Sequence, residues 1–231
     1  MREIADTQTV QADFDRIALL PEEKWNHNSH YHPFLLKYVP SPCENALEIG
    51  CGTGELARSL AQHTLHMLTL DLAPQMIRLA RERSAQYTNI DFKCADFMQE
   101  DLPDESFDYI VSIATLHHLP LEAVLKKIKK TLKVNGTLAI LDLFEQEGTA
   151  DKLRSLAAIP VNMFLNVVRN GRVRSSREKR AVWGEHGKRD VYLKVSQVRE
   201  ICSAILPGAK VRKHFFWRYS IVWKKLETQN I

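Results

Sequence analysis

No two cysteines in this 231-residue chain stand at CxxC spacing; Cys43, Cys51, Cys94 and Cys202 are scattered. Neither a disulfide framework nor a zinc site is therefore expected, no metal is called for, and a reducing, cytoplasmic setting fits. No stretch approaches the roughly 20 apolar residues that a membrane span requires. The opening segment MREIADTQTVQADFDR carries charges throughout and has no apolar run, so a secretory leader is not expected either. Internal repeats and low-complexity tracts are also missing.

What is present is ordinary core material. Hydrophobic residues make up 45% and charged residues 26%, enough for one globular domain, alone or with an added cap. The net charge of +4 is unevenly placed. Between Asn166 and Lys194 lie nine basic residues against three acids (Glu178, Glu185, Asp190), so the basic excess is local. It could attract an anionic small molecule (a carboxylate, a phosphate or a carrier-bound acyl group), or be a solvated surface.

Short apolar runs at Ala46–Ile49, Leu65–Leu70, Ile90–Cys94, Phe107–Ile113 and Thr137–Leu141 suit strands covered on both faces. Between them lie amphipathic stretches. Leu121, Val124, Leu125, Ile128 and Leu132 form one helical stripe with lysines around it, and Asn135-Gly136 turns into the next strand. Repeated β-α-β units of this kind imply a parallel sheet with right-handed crossovers. Residues 1–40 read as a helical lead-in ending in Trp25-Asn-His-Asn-Ser-His-Tyr-His32. After Phe144 the alternation breaks: 149–169 reads as helix and 170–190 as a basic loop. A helix near Ser196–Leu206 follows, with Ser196 as N-cap. Val211–Trp217 and Tyr219–Trp223 have no helix between them and must pair antiparallel.

Three features carry chemistry. Glu48-Ile-Gly50-Cys-Gly52-Thr-Gly54 closes the first strand and opens a helix, where glycines let the backbone turn sharply against a ligand. A dinucleotide loop would read GxGxxG. Here the third glycine comes one position early and Glu55 takes its place, an acid that would repel a pyrophosphate. Asp71 closes the second strand and suits a ribose; it would equally cap the helix opening at Pro74. Asp96 closes the third strand, with Phe97 beside it.

On Ala46–Leu56, Leu70–Ile77, Cys94–Phe97, Phe107–Pro120 and Leu125–Leu143 the chain resembles the class I S-adenosylmethionine-dependent methyltransferases. It looks most like the small-molecule group that includes ubiquinone and menaquinone methyltransferases. The resemblance implies an α/β fold, a doubly wound, mostly parallel seven-stranded sheet with an antiparallel last strand. It implies a lead-in over 1–44 and a methyltransferase domain over 45–231, with a helical, basic substrate cap at 146–194 inserted after the fifth strand. S-adenosylmethionine would be the cofactor and S-adenosylhomocysteine the product. Gly50, Gly52 and Gly54 would lie against the cofactor's amino-acid part, with Glu48 adding negative character near a cationic ligand. Asp71 and Leu72 would meet the ribose and Asp96 the adenine, with Met76 or Phe97 over the ring. Ile113–Thr115 would lie beneath the sulfur.

The fourth strand departs from some relatives. Ser112-Ile-Ala-Thr-Leu116 carries neither the Asn/Asp-Pro-Pro-aromatic signature of base amino-group methylation nor a Pro-Cys nucleophile. A small-molecule acceptor with an O, N or C nucleophile is the leading expectation, and nucleic acid is not an expected partner. RNA or protein methylation gripped by residues 169–194 is an alternative, as is a non-catalytic cofactor-binding protein. Candidates for acceptor contact are His30, His32, His117, His118, Glu145 and His186. His117 is chosen as a base because it follows the fourth strand and an imidazole titrates near neutrality. Trp25, His27 and Tyr31 read either as a flap over the pocket or as staples holding the lead-in to the core.

Overall fold

The computed structural model describes residues 5–227. Seven strands form one sheet: β1 (Asn45–Ile49), β2 (His66–Asp71), β3 (Ile90–Cys94), β4 (Phe107–Ile113), β5 (Leu132–Leu143), β6 (Lys210–Lys213) and β7 (Arg218–Lys224). Their order is β3-β2-β1-β4-β5-β7-β6. The first five run parallel, while β7 is antiparallel to both β5 and β6. The chain order reverses between β1 and β4, and open α/β sheets bind ligands at the carboxyl edge of that switch point.

The central strands β1 and β4 are mostly apolar because helices cover both faces. Ala46–Ile49 is buried along its length, and one apolar cluster lies on each side of the sheet. Helix α5 (Leu121–Thr131) turns Leu121, Val124, Leu125 and Ile128 inward as the pattern requires. Leu132, expected to end that stripe, instead begins β5. Asn135, at φ 65°, makes its turn inside the strand, where the pairing with β4 shifts register between Phe107 and Tyr109.

Two boundaries differ from expectation. Phe216 and Trp217 do not extend β6; they take left-handed φ values of 53° and 58°, which folds the Phe216 ring into the core beside Trp25. Helix α8 (Val195–Ile205) is capped at Lys194, not Ser196. The Lys194 N–H donates to Gln197 Oε1 at 3.0 Å, and the Ser196 hydroxyl donates to Glu147 at 2.7 Å.

The lead-in contributes α1 (Thr7–Ala18) and α2 (His32–Leu36); α3 (Glu55–Leu60) and α4 (Pro74–Arg83) follow β1 and β2. The insertion after β5 contributes α6 (Gly148–Asn170) and α7 (Arg177–His186). The latter replaces the expected loop, since Ser176 accepts from the Lys179 N–H and starts a helix. On α6, Val161, Phe164 and Val168, which helical periodicity sets with Leu165 on one apolar stripe, are exposed, while Ala158 and Leu165 pack on the core. The inward face is a ladder of asparagines. Asn162 meets His27 Nε2 at 2.9 Å, Asn166 bonds to Asn162, and Asn170 both accepts from and donates to the Trp25 backbone.

The basic excess also has a partner within the chain. Glu23 pairs with Arg172 at 2.9 Å and Lys179 at 3.0 Å, Asp13 with Arg189 at 2.5 Å, and Arg16 with Glu185 at 3.0 Å. Acids of the lead-in thus tie down the basic cap. Burial pushes the Glu23 carboxyl up, yet hydrogen bonds from Ser175 and Lys179 and the charges of Lys179 and Arg172 bring it below its usual value. No helix among the described residues is long and apolar enough to cross a membrane.

Replacing Glu23 by Gln is expected to cost about 1–3 kcal/mol of stability, because two partly covered cations lose their partner. Amide exchange should quicken selectively in 7–32 and 172–190. In the wild type this contribution is present above the ordinary Glu value of 4.5 and is lost as pH falls through the depressed folded value. Uniform exchange between variant and wild type would show that these pairs do not hold the cap.

Candidate functional site

A cavity of about 740 Å³ opens over the carboxyl ends of β1, β2 and β4 and is roofed by α1, the 25–32 segment, α6 and α7. One half is built by the glycine loop. Gly50 and Cys51 donate their N–H groups to Leu70 O at 2.8 and 3.0 Å, which folds the loop back on β2. Gly50 sits at φ +77°, and a Cβ there would lie 2.1 Å from Thr115 Oγ1. Only glycine lets β1 and the end of β4 approach so closely. Around Gly52 a Cβ would meet nothing, so that side is open to a ligand.

Three carboxylates line this half. Glu48 is buried on β1, and neither of its oxygens has a hydrogen-bond partner. Burial, then the neighbouring Asp71 charge, pushes its carboxyl well above the usual range. Asp71 accepts from the Gly52 N–H at 2.7 Å and the Ala73 N–H at 3.0 Å, so it braces the loop rather than capping α4, whose N-cap is Ala73. Burial lifts it to about 6 against those two bonds. Asp96 accepts from the Met98 N–H at 2.8 Å. Leu72, Met76, Phe97 and Ile113 complete the lining. Orphaned buried oxygens, open glycines and neighbouring apolar side chains suit a ligand with a cationic amino-acid end and a flat apolar ring, which is what S-adenosylmethionine offers.

The other half lies over β4, β5 and β7. His117 follows β4 and its Nδ1 meets Asp142 Oδ1 at 2.6 Å; Asp142, from the end of β5, is fully buried. The carboxylate fixes the tautomer and leaves Nε2 free. Behind His117, the loop after α7 brings in Asp190, which lies 4.0 Å from His117 Nε2, 3.8 Å from His118 Nδ1 and 3.5 Å from His186 Nε2. The Tyr192 hydroxyl donates to it at 2.5 Å. Burial and the two neighbouring imidazoles push His118 down to about 2, so it stays neutral. The ligand atoms of His117, His118 and Asp190 lie within 4.8 Å of one another, a donor set able to hold a metal ion that the scattered cysteines gave no reason to expect. Ala114, at φ 52°, holds the chain between Ile113 and Thr115 in a strained turn at the cavity wall.

Most expected residues meet here: Glu48, Gly50, Gly52, Asp71, Leu72, Met76, Asp96, Phe97, Ile113, His117, His118, His186, Trp25, His27 and His32 all line the cavity. Four do not. Gly54, at φ +76°, starts α3 with its back to the Phe92 ring, and so shapes the loop from behind. Tyr31 is a staple, its hydroxyl donating to Phe215 O at 2.5 Å, and His30 packs on Tyr31 and Phe216. Glu145 is exposed and pairs by its backbone with Lys194, facing away from the cavity. Asp142, Asp190, Tyr192 and Arg218 went unread. Asp142 alone left a signal, a carboxylate interrupting the apolar run Leu138–Leu143.

The family described as methyltransferase domain matches residues 47–140, the stretch that builds the loop and both inner strands. An uncharacterized methyltransferase of Mycobacterium tuberculosis (strain ATCC 25618 / H37Rv) is 29% identical over 204 residues, covering 88% of this chain and 98% of the relative. Both likenesses mark the chain as a methyltransferase. A ubiquinone biosynthesis O-methyltransferase of Xanthomonas axonopodis pv. citri is 29% identical to this methyltransferase over 148 residues, 58% of this chain and 61% of that one. In fold the methyltransferase resembles the Haemonchus contortus phosphoethanolamine N-methyltransferase 2 solved with S-adenosyl-L-methionine. The TM-score is 0.60 at 19% identity, covering 88% of this chain and 43% of that one.

Burial lifts the Asp71 carboxyl to about 6, so below that pH it is protonated. A neutral acid cannot accept from both ribose hydroxyls while holding Gly52 and Ala73. The dissociation constant of S-adenosylhomocysteine, measured by calorimetry from pH 5 to 8, should therefore rise as pH falls through about 6. Asp71→Ala should weaken binding about tenfold or more at neutral pH, the loss of charge-assisted bonds. A flat profile and an unaffected variant would remove Asp71 from the cofactor site.

Proposed function

We propose that this methyltransferase transfers a methyl group from S-adenosylmethionine to an oxygen, nitrogen or carbon nucleophile of a small molecule. The observation that carries the reading is the His117–Asp142 pair, which lines the same cavity as the glycine loop, His117 standing two residues beyond the Thr115 that touches Gly50. S-adenosylmethionine supplies a methyl already activated by its sulfonium, so the chain's own work is positioning. Gly50 and Gly52 admit the amino-acid part, Glu48 receives its cationic group, Asp71 the ribose and Asp96 the adenine, while Met76 and Phe97 cover the ring. Holding a nucleophile in line can account for about 7–11 kcal/mol of barrier lowering.

Acceptors that must lose a proton find His117 in the cavity lining, its Nε2 4.0 Å from Asp190. Asp142 holds the ring through Nδ1 and stabilises the positive charge that arises once the proton arrives. His118 is held neutral by burial, and so offers a polar wall without competing for that proton. Trp25 and the asparagine ladder of α6 close the roof, which keeps water from the reacting centre. The roof over the cavity, with Arg172, Lys179 and Arg189 of the cap paired to the lead-in, favours a small acceptor over a polymer lying in an open groove.

Incubation with methyl-labelled S-adenosylmethionine and a lysate split into small-molecule, RNA and protein fractions should place label in the first. Label confined to RNA or protein would overturn the acceptor class. With the labelled acceptor identified, His117→Ala should lower kcat by about a hundredfold while leaving S-adenosylhomocysteine affinity unchanged. Undiminished turnover would remove His117 as the base.

A further inference from the structure

Arg218 is the first residue of β7, paired across the ladder with Leu143 at the end of β5, and it lines the cavity on the side away from the glycine loop. Its relative exposure is 7%, yet its guanidinium touches only neutral acceptors: Asn28 Oδ1 at 2.9 Å and Phe216 O at 3.5 Å. Among the described residues no carboxylate lies within 4.0 Å of it, and Nε is buried with no partner. Asp142 is the acid that attracts it from farther off: its Oδ1 serves His117 and the Leu143 N–H, while its Oδ2, buried and without a hydrogen-bond partner, stays more than 4.0 Å from the guanidinium.

A buried cation with uncharged partners is an expensive arrangement that structures keep when a ligand completes it. Holding the 25–32 segment to the β6–β7 turn does not explain it, because a neutral donor would serve. A guanidinium presents five N–H groups in a planar fork shaped for carboxylate or phosphate, and only two bonds are made here. Its place also matters. The cofactor-side groups sit on β1, β2 and β3, whereas Arg218 stands over β5 and β7, with His117 and Tyr192 beside it in the same half.

We propose that the methyl acceptor carries an oxyanion, a carboxylate or phosphate, that Arg218 binds in the acceptor half of the cavity. This rests on the small-molecule methyltransferase reading and names its substrate class. It also moves the anion site from the basic cap, where Arg172, Lys179 and Arg189 are paired with acids of the lead-in, to one buried residue. Anchored there, the far end of the acceptor is fixed while its nucleophile reaches toward His117.

Calorimetry on protein saturated with S-adenosylhomocysteine tests this without turnover. The probes are matched pairs, benzoate against benzamide and phenyl phosphate against phenol. The anionic member of at least one pair should bind about tenfold tighter or better, ~1.4 kcal/mol, and the pair that discriminates tells carboxylate from phosphate. Arg218→Gln should abolish the preference while S-adenosylhomocysteine affinity stays within about twofold, and Arg218→Lys should restore part of it. Absence of any anion preference in the wild type overturns the proposal, and that comparison needs no variant to fold. So does a variant that keeps the preference but loses S-adenosylhomocysteine affinity, since the carboxylate held would then be the cofactor's own. Failure of the wild type to bind S-adenosylhomocysteine at all would instead strike the methyltransferase reading, while the anion preference of the free protein still decides Arg218.

Discussion

The closeness of β1 and β4 at their carboxyl ends sets everything else at the site. The two strands pair in register up to Ile49 and Ser112, and the Ser112 hydroxyl donates to Ile49 O at 2.7 Å. Just beyond, Gly50 and Thr115 touch where any Cβ would collide. That contact forces the loop back over β2, where Asp71 takes up the Gly52 N–H. It also forces the chain after β4 through the strained Ala114 and delivers His117 to the same opening. Cofactor loop and proposed base are consequences of one steric constraint.

The second organising element is charge pairing between segments far apart in sequence. The basic stretch looked like a surface for an external anion because its acids lie in the lead-in, more than a hundred residues away. Glu23 and Asp13 with their partners take up part of that excess in a clasp holding the cap over the cavity, joined by the reverse pair of Arg16 with the cap's Glu185. Exposed pairs such as Arg16–Glu185 add little individually, but Glu23 is largely covered and bonds to two cations, where geometry counts for more. The roof is polar on the inside, through Asn162, Asn166 and Asn170. Val161, Phe164 and Val168 are exposed, although helical periodicity sets them on one stripe with Leu165, which packs on the core.

This explains what the sequence could and could not disclose. Runs such as Ala46–Ile49 and Phe107–Ile113 are readable because a strand covered on both faces must be apolar at every position. Gly50, Gly52 and Asp71 are readable because backbone geometry restricts those positions to few residue types. Composition says nothing about which side of α6 faces inward, since the asparagines bond to Trp25 and His27 across the fold. Asp190 and Tyr192 were hidden for the same reason: they matter only because α7 brings their loop against the end of β4. Arg218 lay inside what read as a plain hairpin, and only its burial without a carboxylate gives it meaning.

The charges inside the cavity are arranged so that the ligand-free protein is poorly satisfied. Glu48 and Asp71 are both pushed up by burial, Glu48 has no hydrogen bond at all, and Arg218 is pressed down by the same desolvation. A cationic ligand over the first two would draw their carboxyls back toward ionisation, so its binding is linked to proton release. An anion on Arg218 would relieve the third. On the proposed reading the two halves take opposite charges, a sulfonium-bearing donor on one side and an oxyanion, beside His117, on the other. That polarity sets the direction in which donor and acceptor must enter, and it follows from buried groups rather than from the surface charge that dominates the composition.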